Sequence, residues 1–152
     1  MSTFTVLESV LRPLSYWYNQ DNIEEVAINR SGQIWLRLRG KRAYPWVMYK
    51  DEKLTKEYLT DLLYIVANTY ELPFDPIQGS PVVYATIPGD HRFSAIAGRN
   101  VMYDQDDLTG GVALTIRVHS DEVAFGLEDY GLSQGKALHK INPLKQIKDP
   151  ED

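Results

Sequence analysis

Three stretches in the second half of the chain, "PVVYATIPG", "HRFSAIAG" and "GGVALTIRVHS", alternate apolar and polar residues with a period of two. That period narrows the fold more than any other feature. In the last stretch Val112, Leu114, Ile116 and Val118 fall on one face of a strand, and Ala113, Thr115, Arg117 and His119 on the other. Gly- and Asp-containing loops join the three runs. An earlier run, "IEEVAINRSGQIWLRLRGKRAYPWVMY", is the clearest strand region. Val26 and Ile28 lead into Asn29-Arg30-Ser31-Gly32, a turn sequence whose Gly32 can take positive φ. Ile34, Leu36 and Leu38 then alternate with Gln33, Trp35, Arg37 and Arg39, which predicts a β-hairpin.

Two segments change the period. In "TFTVLESVLRPLSYWYNQ", Phe4, Leu7, Leu11 and Leu14 recur at spacings of three and four, with Val10 and Trp17 beside them, so an amphipathic helix is expected. Thr5 with Glu8 reads as a capping box, and Pro13, lacking a backbone donor, predicts a break or kink near Arg12. In "KLTKEYLTDLLYIVANTYELPFD", Thr55 is the expected N-cap, and Leu54, Tyr58, Leu59, Leu62, Ile65 and Val66 form one stripe that ends before Pro73. The order helix, hairpin, helix, strands implies an α+β fold with a mainly antiparallel sheet. After Ser120 sustained periodicity stops, and the charged, proline-containing 121–152 reads as a linker or frayed terminus.

Composition excludes several functions. The chain of 152 residues suits one domain, and its 21 acidic against 16 basic residues argue against a dedicated nucleic-acid binder. Arg37, Arg39, Lys41 and Arg42 form a local basic cluster, read as the wet side of a strand. With no cysteine there is no disulfide, thiolate nucleophile or Cys-ligated metal, which fits a reducing cytosol. No apolar run approaches a membrane span, and no signal-peptide pattern opens the chain. His91, His119 and His139 lack metal-ligand spacing. Asp104, Gln105, Asp106 and Asp107 lack the glycine and closing glutamate of a calcium loop. "YGLSQGKAL" fails as a phosphate loop at both ends, with Tyr130 where the first glycine belongs and Ala137 where the hydroxyl belongs. The chain alone is not expected to hydrolyse nucleotide.

Taken together, these motifs resemble a known family. "IEEVAINRSGQIWLRLRG" is similar to the "TEI-x-IN-R-P-G-x-[IVW]-x-E" segment that opens the N-terminal domain of the type IV secretion and conjugation traffic ATPases. "SPVVYATIPGDHRFSAI" resembles their "P-x-[IVL]-x-A-x-LP-x-G-x-R-[VF]-x" segment, and "GGVALTIRVHS" their "[IV]-[ST]-[IL]-T-IR-[KR]-x-S" strand. The three stand in family order between Leu11 and Tyr130. Ser31 replaces the usual proline, Val118-His119 replaces a basic residue and proline, and "GRNVMYDQDDLTGG" is longer than the family's loop.

The resemblance implies a PAS-like domain over 1–120 and an interdomain segment over 121–152, with the P-loop ATPase domain absent. It implies a nucleotide-sensing, ring-forming part of a hexameric ATPase that powers translocation or pilus assembly. Such a subunit works in the cytoplasm at the inner membrane, with other secretion components and no direct nucleic-acid contact. ATP and Mg²⁺ would serve the intact protein. Two family arginines that reach the nucleotide's terminal phosphate match Arg92 and Arg117, whose guanidinium forks suit phosphate oxygens. Arg99, at the start of the long loop, is the alternative partner of Arg117. By spacing alone both arginines read as solvated strand residues. The competing function is a stand-alone PAS-like sensor or adaptor that binds a small ligand or a protein.

Overall fold

The alternating runs pair as antiparallel strands of one six-stranded sheet, with both helices drawn to its apolar face. The computed structural model describes residues 3–40, 43–101, 103 and 110–120. Every described helix and strand lies in one compact unit, Met1–His119. In chain order these are α1 (Thr3–Tyr18), β1 (Ile23–Ile28), β2 (Gln33–Leu38), β3 (Trp46–Lys50), α2 (Lys56–Thr69), β4 (Val82–Ile87), β5 (His91–Gly98) and β6 (Gly111–Arg117). The fold is α+β, as the element order implied.

The sheet order β3-β2-β1-β6-β5-β4 follows from local connections. Two three-stranded meanders, β1-β2-β3 and β4-β5-β6, are linked through α2 and closed by the pairing of β1 with β6. Gly32 takes the turn between β1 and β2 at φ 77, and its amide and carbonyl bond the segment ahead of α2 through Leu54 O (2.7 Å) and Asp51 N (2.9 Å). The core lies between sheet and helices. Leu7, Leu11, Leu14 and Tyr18 of α1 meet Leu59, Leu62, Leu63 and Val66 of α2 and the inward residues Val26, Ile28, Phe93, Leu114 and Ile116. Burying side chains of this size contributes about 1.5–3 kcal/mol each before the entropy of ordering is set against it. Among the described residues no helix covers the opposite face of the sheet.

Thr55 caps α2 as expected, accepting a hydrogen bond from the Tyr58 amide at 3.1 Å. The first helix departs from expectation twice. Thr5 lies inside α1, which already runs from Thr3, so it is no N-cap; Phe4 packs edge-on against Tyr70 at 5.8 Å and extends the helical face toward the N-terminus. Pro13 does not break the helix, which continues to Tyr18. The missing amide would have served the carbonyl of Ser9, an exposed residue open to water, while Leu11 and Leu14 on either side are held in the core. The strand region read from Ile23 to Tyr49 holds a third strand, β3, beyond the hairpin; its residues are mostly exposed, because it is an edge strand with little apolar alternation, and the pattern did not set it apart. The readings made on Lys41, Arg42, the Asp104–Asp107 tract and 121–152, including Tyr130, Ala137 and His139, lie outside the described residues.

Candidate functional site

On the open face, strand register aligns one row of side chains across the whole sheet. Its members are Thr86 of β4, Arg92 of β5, Arg117 of β6, Glu25 of β1, Arg37 of β2 and Trp46 of β3, each the partner of the next. Their chain neighbours Ile87, Phe93, Ile116, Val26 and Leu36 are buried on the helix side, so the row faces away from the helices. Residues directly opposite in such pairs hold their Cβ atoms about 4.5–5.5 Å apart.

Arg92 and Arg117 are therefore side by side, and both are exposed. Like charges placed directly opposite destabilise a sheet pair. Among the described residues neither arginine forms an ion pair, whereas Arg37 Nε lies 3.7 Å from Glu24 Oε2. The row thus concentrates positive charge on a chain whose net charge is −5. Two adjacent guanidinium forks on a solvent-open surface can grip one tetrahedral oxyanion from two sides.

Arg99 is elsewhere. Gly98 pairs with Gly111 at the far end of β5 and β6, so Arg99 stands some six residues, ~20 Å, from Arg117. The fold brings Arg92 and Arg117 together and does not bring Arg99 to either. Sequence reasoning passed over Glu25 and read Arg37 only as part of the wet side of a strand, because alternation assigns a face to each side chain but not the register between strands far apart in sequence. Beside the row, a shallow depression of about 260 Å³ is lined by Asn29, Tyr84, Ser94, Ile96, Ala113 and Thr115.

Behind the pair, on the core side, the ends of β5 and β6 are joined through His91. Its ring is buried, lies 4.9 Å from that of Tyr18, and accepts the His119 backbone N–H at Nδ1 at 2.9 Å. An accepting Nδ1 places the proton of the neutral ring on Nε2. Burial, reinforced by His119, holds its pKa below the ordinary histidine value against an opposing pull from Asp90. The tight turn leaves room only for glycine at position 89, where φ is +93° and a Cβ would sit 2.6 Å from His91 Nε2.

With this geometry in view, the chain can be set beside known proteins. It superposes on the crystal structure of the VirB11 ATPase from the Brucella suis type IV secretion system, determined in complex with sulphate, with a TM-score of 0.63 and 26% sequence identity over 82% of its length. In fold, this is a type IV secretion ATPase-like domain. The chain spans 35% of the Brucella protein. No protein-family model matches the chain, and no curated protein sequence matches it. No helix among the described residues is long and apolar enough to cross a membrane.

Proposed function

We propose that this chain is the nucleotide-sensing, ring-forming N-terminal domain of a type IV secretion or conjugative-transfer ATPase, and that Arg92 and Arg117 are its contacts to the nucleotide's terminal phosphate. The observation that carries the reading is the register of Arg92 against Arg117 on the face turned away from α1 and α2, in a fold shared with a secretion ATPase. In this reading residues 1–120 form the domain and 121–152 lead toward a C-terminal ATPase domain. The assembled protein is a hexamer working at the cytoplasmic side of the inner membrane beside other secretion components.

The arginine pair fits a phosphoryl group in charge, donor geometry and exposure. ATP and Mg²⁺ belong to the ATPase domain in this scheme. ATP bound there supplies the phosphoanhydride that is hydrolysed. The role of this chain is to orient and report: two fixed forks favour a closed subunit while the terminal phosphate is present and lose that contact once it leaves.

In the intact ATPase, Arg92→Ala and Arg117→Ala should each lower turnover roughly ten- to a hundredfold, the cost of a charge-assisted contact of ~1.5–3 kcal/mol. Arg117→Lys should restore part of it, since lysine keeps the charge but loses the fork. Hydrolysis rates measured beside melting curves make the comparison, with Arg99→Ala as the control. Full turnover in both alanine variants would refute the role.

A further inference from the structure

Arg92 and Arg117 are the terminal pair in register between β5 and β6, at the point where Arg117 closes β6. Two like charges set opposite each other push a strand end apart, so the backbone beyond them has to hold it. Two hydrogen bonds do so. The Val118 amide donates to the Glu24 carbonyl at 2.9 Å, which continues the pairing with β1, and the His119 amide donates to His91 Nδ1 at 2.9 Å. The second bond is made by a side chain. His91 opens β5 next to Arg92, and its ring is fixed between Tyr18, 4.9 Å away, and the close turn at Gly89. The bond also falls where the chain departs from the strand it resembles, since a proline at position 119 would have no amide to donate.

We infer that His91 is a positioning residue that makes the grip of the arginine pair pH-dependent: neutral, the ring fastens the chain beyond Arg117 to β5; protonated, it releases that chain, and the two forks lose their alignment on an oxyanion. The inference rests on the reading of Arg92 and Arg117 as phosphate contacts. A protonated ring donates from both nitrogens, so Nδ1–H would meet the His119 N–H as donor against donor. The arginines themselves stay charged throughout. Facing the ring are Tyr18 from α1, Asp90 from the turn before β5 and His119 beyond β6. Burial holds His91 below the ordinary histidine value, so release comes as pH falls below about 6.5. Charge alone acts the other way. A protonated imidazole adds positive charge roughly 10 Å from the forks, across the sheet, which would tighten an anion by less than about twofold. The two effects therefore differ in sign.

The test uses the 152-residue chain and inorganic sulphate, which remains a dianion across the range, followed by NMR of the arginine Nε–Hε groups and the histidine ring nitrogens. From about pH 7.5 to about pH 5, sulphate affinity should fall about two- to tenfold, the worth of one hydrogen bond. The midpoint should coincide with the titration of His91 Nδ1. His91→Asn keeps an acceptor without titrating, so it should bind normally at neutral pH and show no acid weakening. His91→Phe keeps a ring against Tyr18 but accepts nothing, and it should bind weakly at every pH. His119→Ala keeps the backbone amide and should retain the acid weakening. If the His91 variants do not fold, the two midpoints in the unaltered chain still decide.

Affinity that rises or stays level toward acid, a midpoint that follows His119, or an equally steep profile in His91→Asn would overturn the positioning role. Where Arg92→Ala and Arg117→Ala nonetheless weaken sulphate at neutral pH, the phosphate reading stands without it. If neither arginine variant weakens binding, the phosphate reading fails and the inference fails with it.

Discussion

Arg92 and Arg117 sit where a sheet gains least from them. Each is an exposed guanidinium facing another across a strand pair, so neither should be needed for folding. Replacing either by alanine in the isolated chain should change unfolding free energy by no more than about 0.5 kcal/mol in urea melts. A loss well beyond that would mean the pair holds the sheet together. His91 behaves in the opposite way, since burial and an accepted hydrogen bond make it part of the structure. Its folded pKa lies below the ordinary value, so in the unfolded chain it takes up a proton first, near pH 6.5. Between the unfolded and folded values the unfolded chain holds more protons. Stability is therefore lost as pH falls below about 6.5, and this residue has no effect on it at higher pH. The groups that face the ring are Tyr18 from α1, Asp90 from the preceding turn and His119 after β6. His91→Asn keeps an acceptor near the Nδ1 position without titrating, and it should flatten the acid limb of denaturant midpoints measured from about pH 5 to 7.5. An equally steep limb in that variant would assign the pH dependence elsewhere.

Among the elements, legibility followed burial. The stripe Leu7, Leu11, Leu14 and the stripe Leu59, Leu62, Val66 were readable as helices because each buries one face. Strands β1, β2, β4, β5 and β6 were readable because one side of each meets those helices. Edge strand β3 lay within the strand-like run but could not be set apart as its own strand, since Trp46, Met48 and Tyr49 remain exposed and no alternation is imposed on them. Pro13 shows a local rule losing to packing, and it gives a prediction. Pro13→Ala restores an amide for the Ser9 carbonyl, so it should stabilise the chain by about 1–3 kcal/mol, read as a higher urea midpoint. No gain would show that the helix is bent to suit the proline. The two helices are also tied by the Tyr58 hydroxyl, which donates to the Val10 carbonyl at 2.6 Å and whose pKa burial pushes well up. Tyr58→Phe should cost about 0.5–1.5 kcal/mol. A neutral result would make that bond incidental to the α1–α2 contact.

At the scale of the whole molecule, the closure of β1 against β6 creates the candidate site. It joins the beginning and end of the described domain and places Glu25 beside Arg117, while the β5–β6 hairpin places Arg92 on the other side. The two arginines could be named from motifs, and their shared face followed from alternation. Their adjacency, the neighbouring Glu25 and the distance of Arg99 depend on register, which no period in the sequence encodes. The central claim is that one oxyanion bridges Arg92 and Arg117 on this open face. Titrating the chain with pyrophosphate while following every arginine Nε–Hε resonance tests it most directly. The account predicts that Arg92 and Arg117 shift together with one dissociation constant, that either alanine variant abolishes the response of the other, and that Arg99 stays unmoved. Independent shifts in Arg92 and Arg117, or a response centred on Arg99, would contradict it.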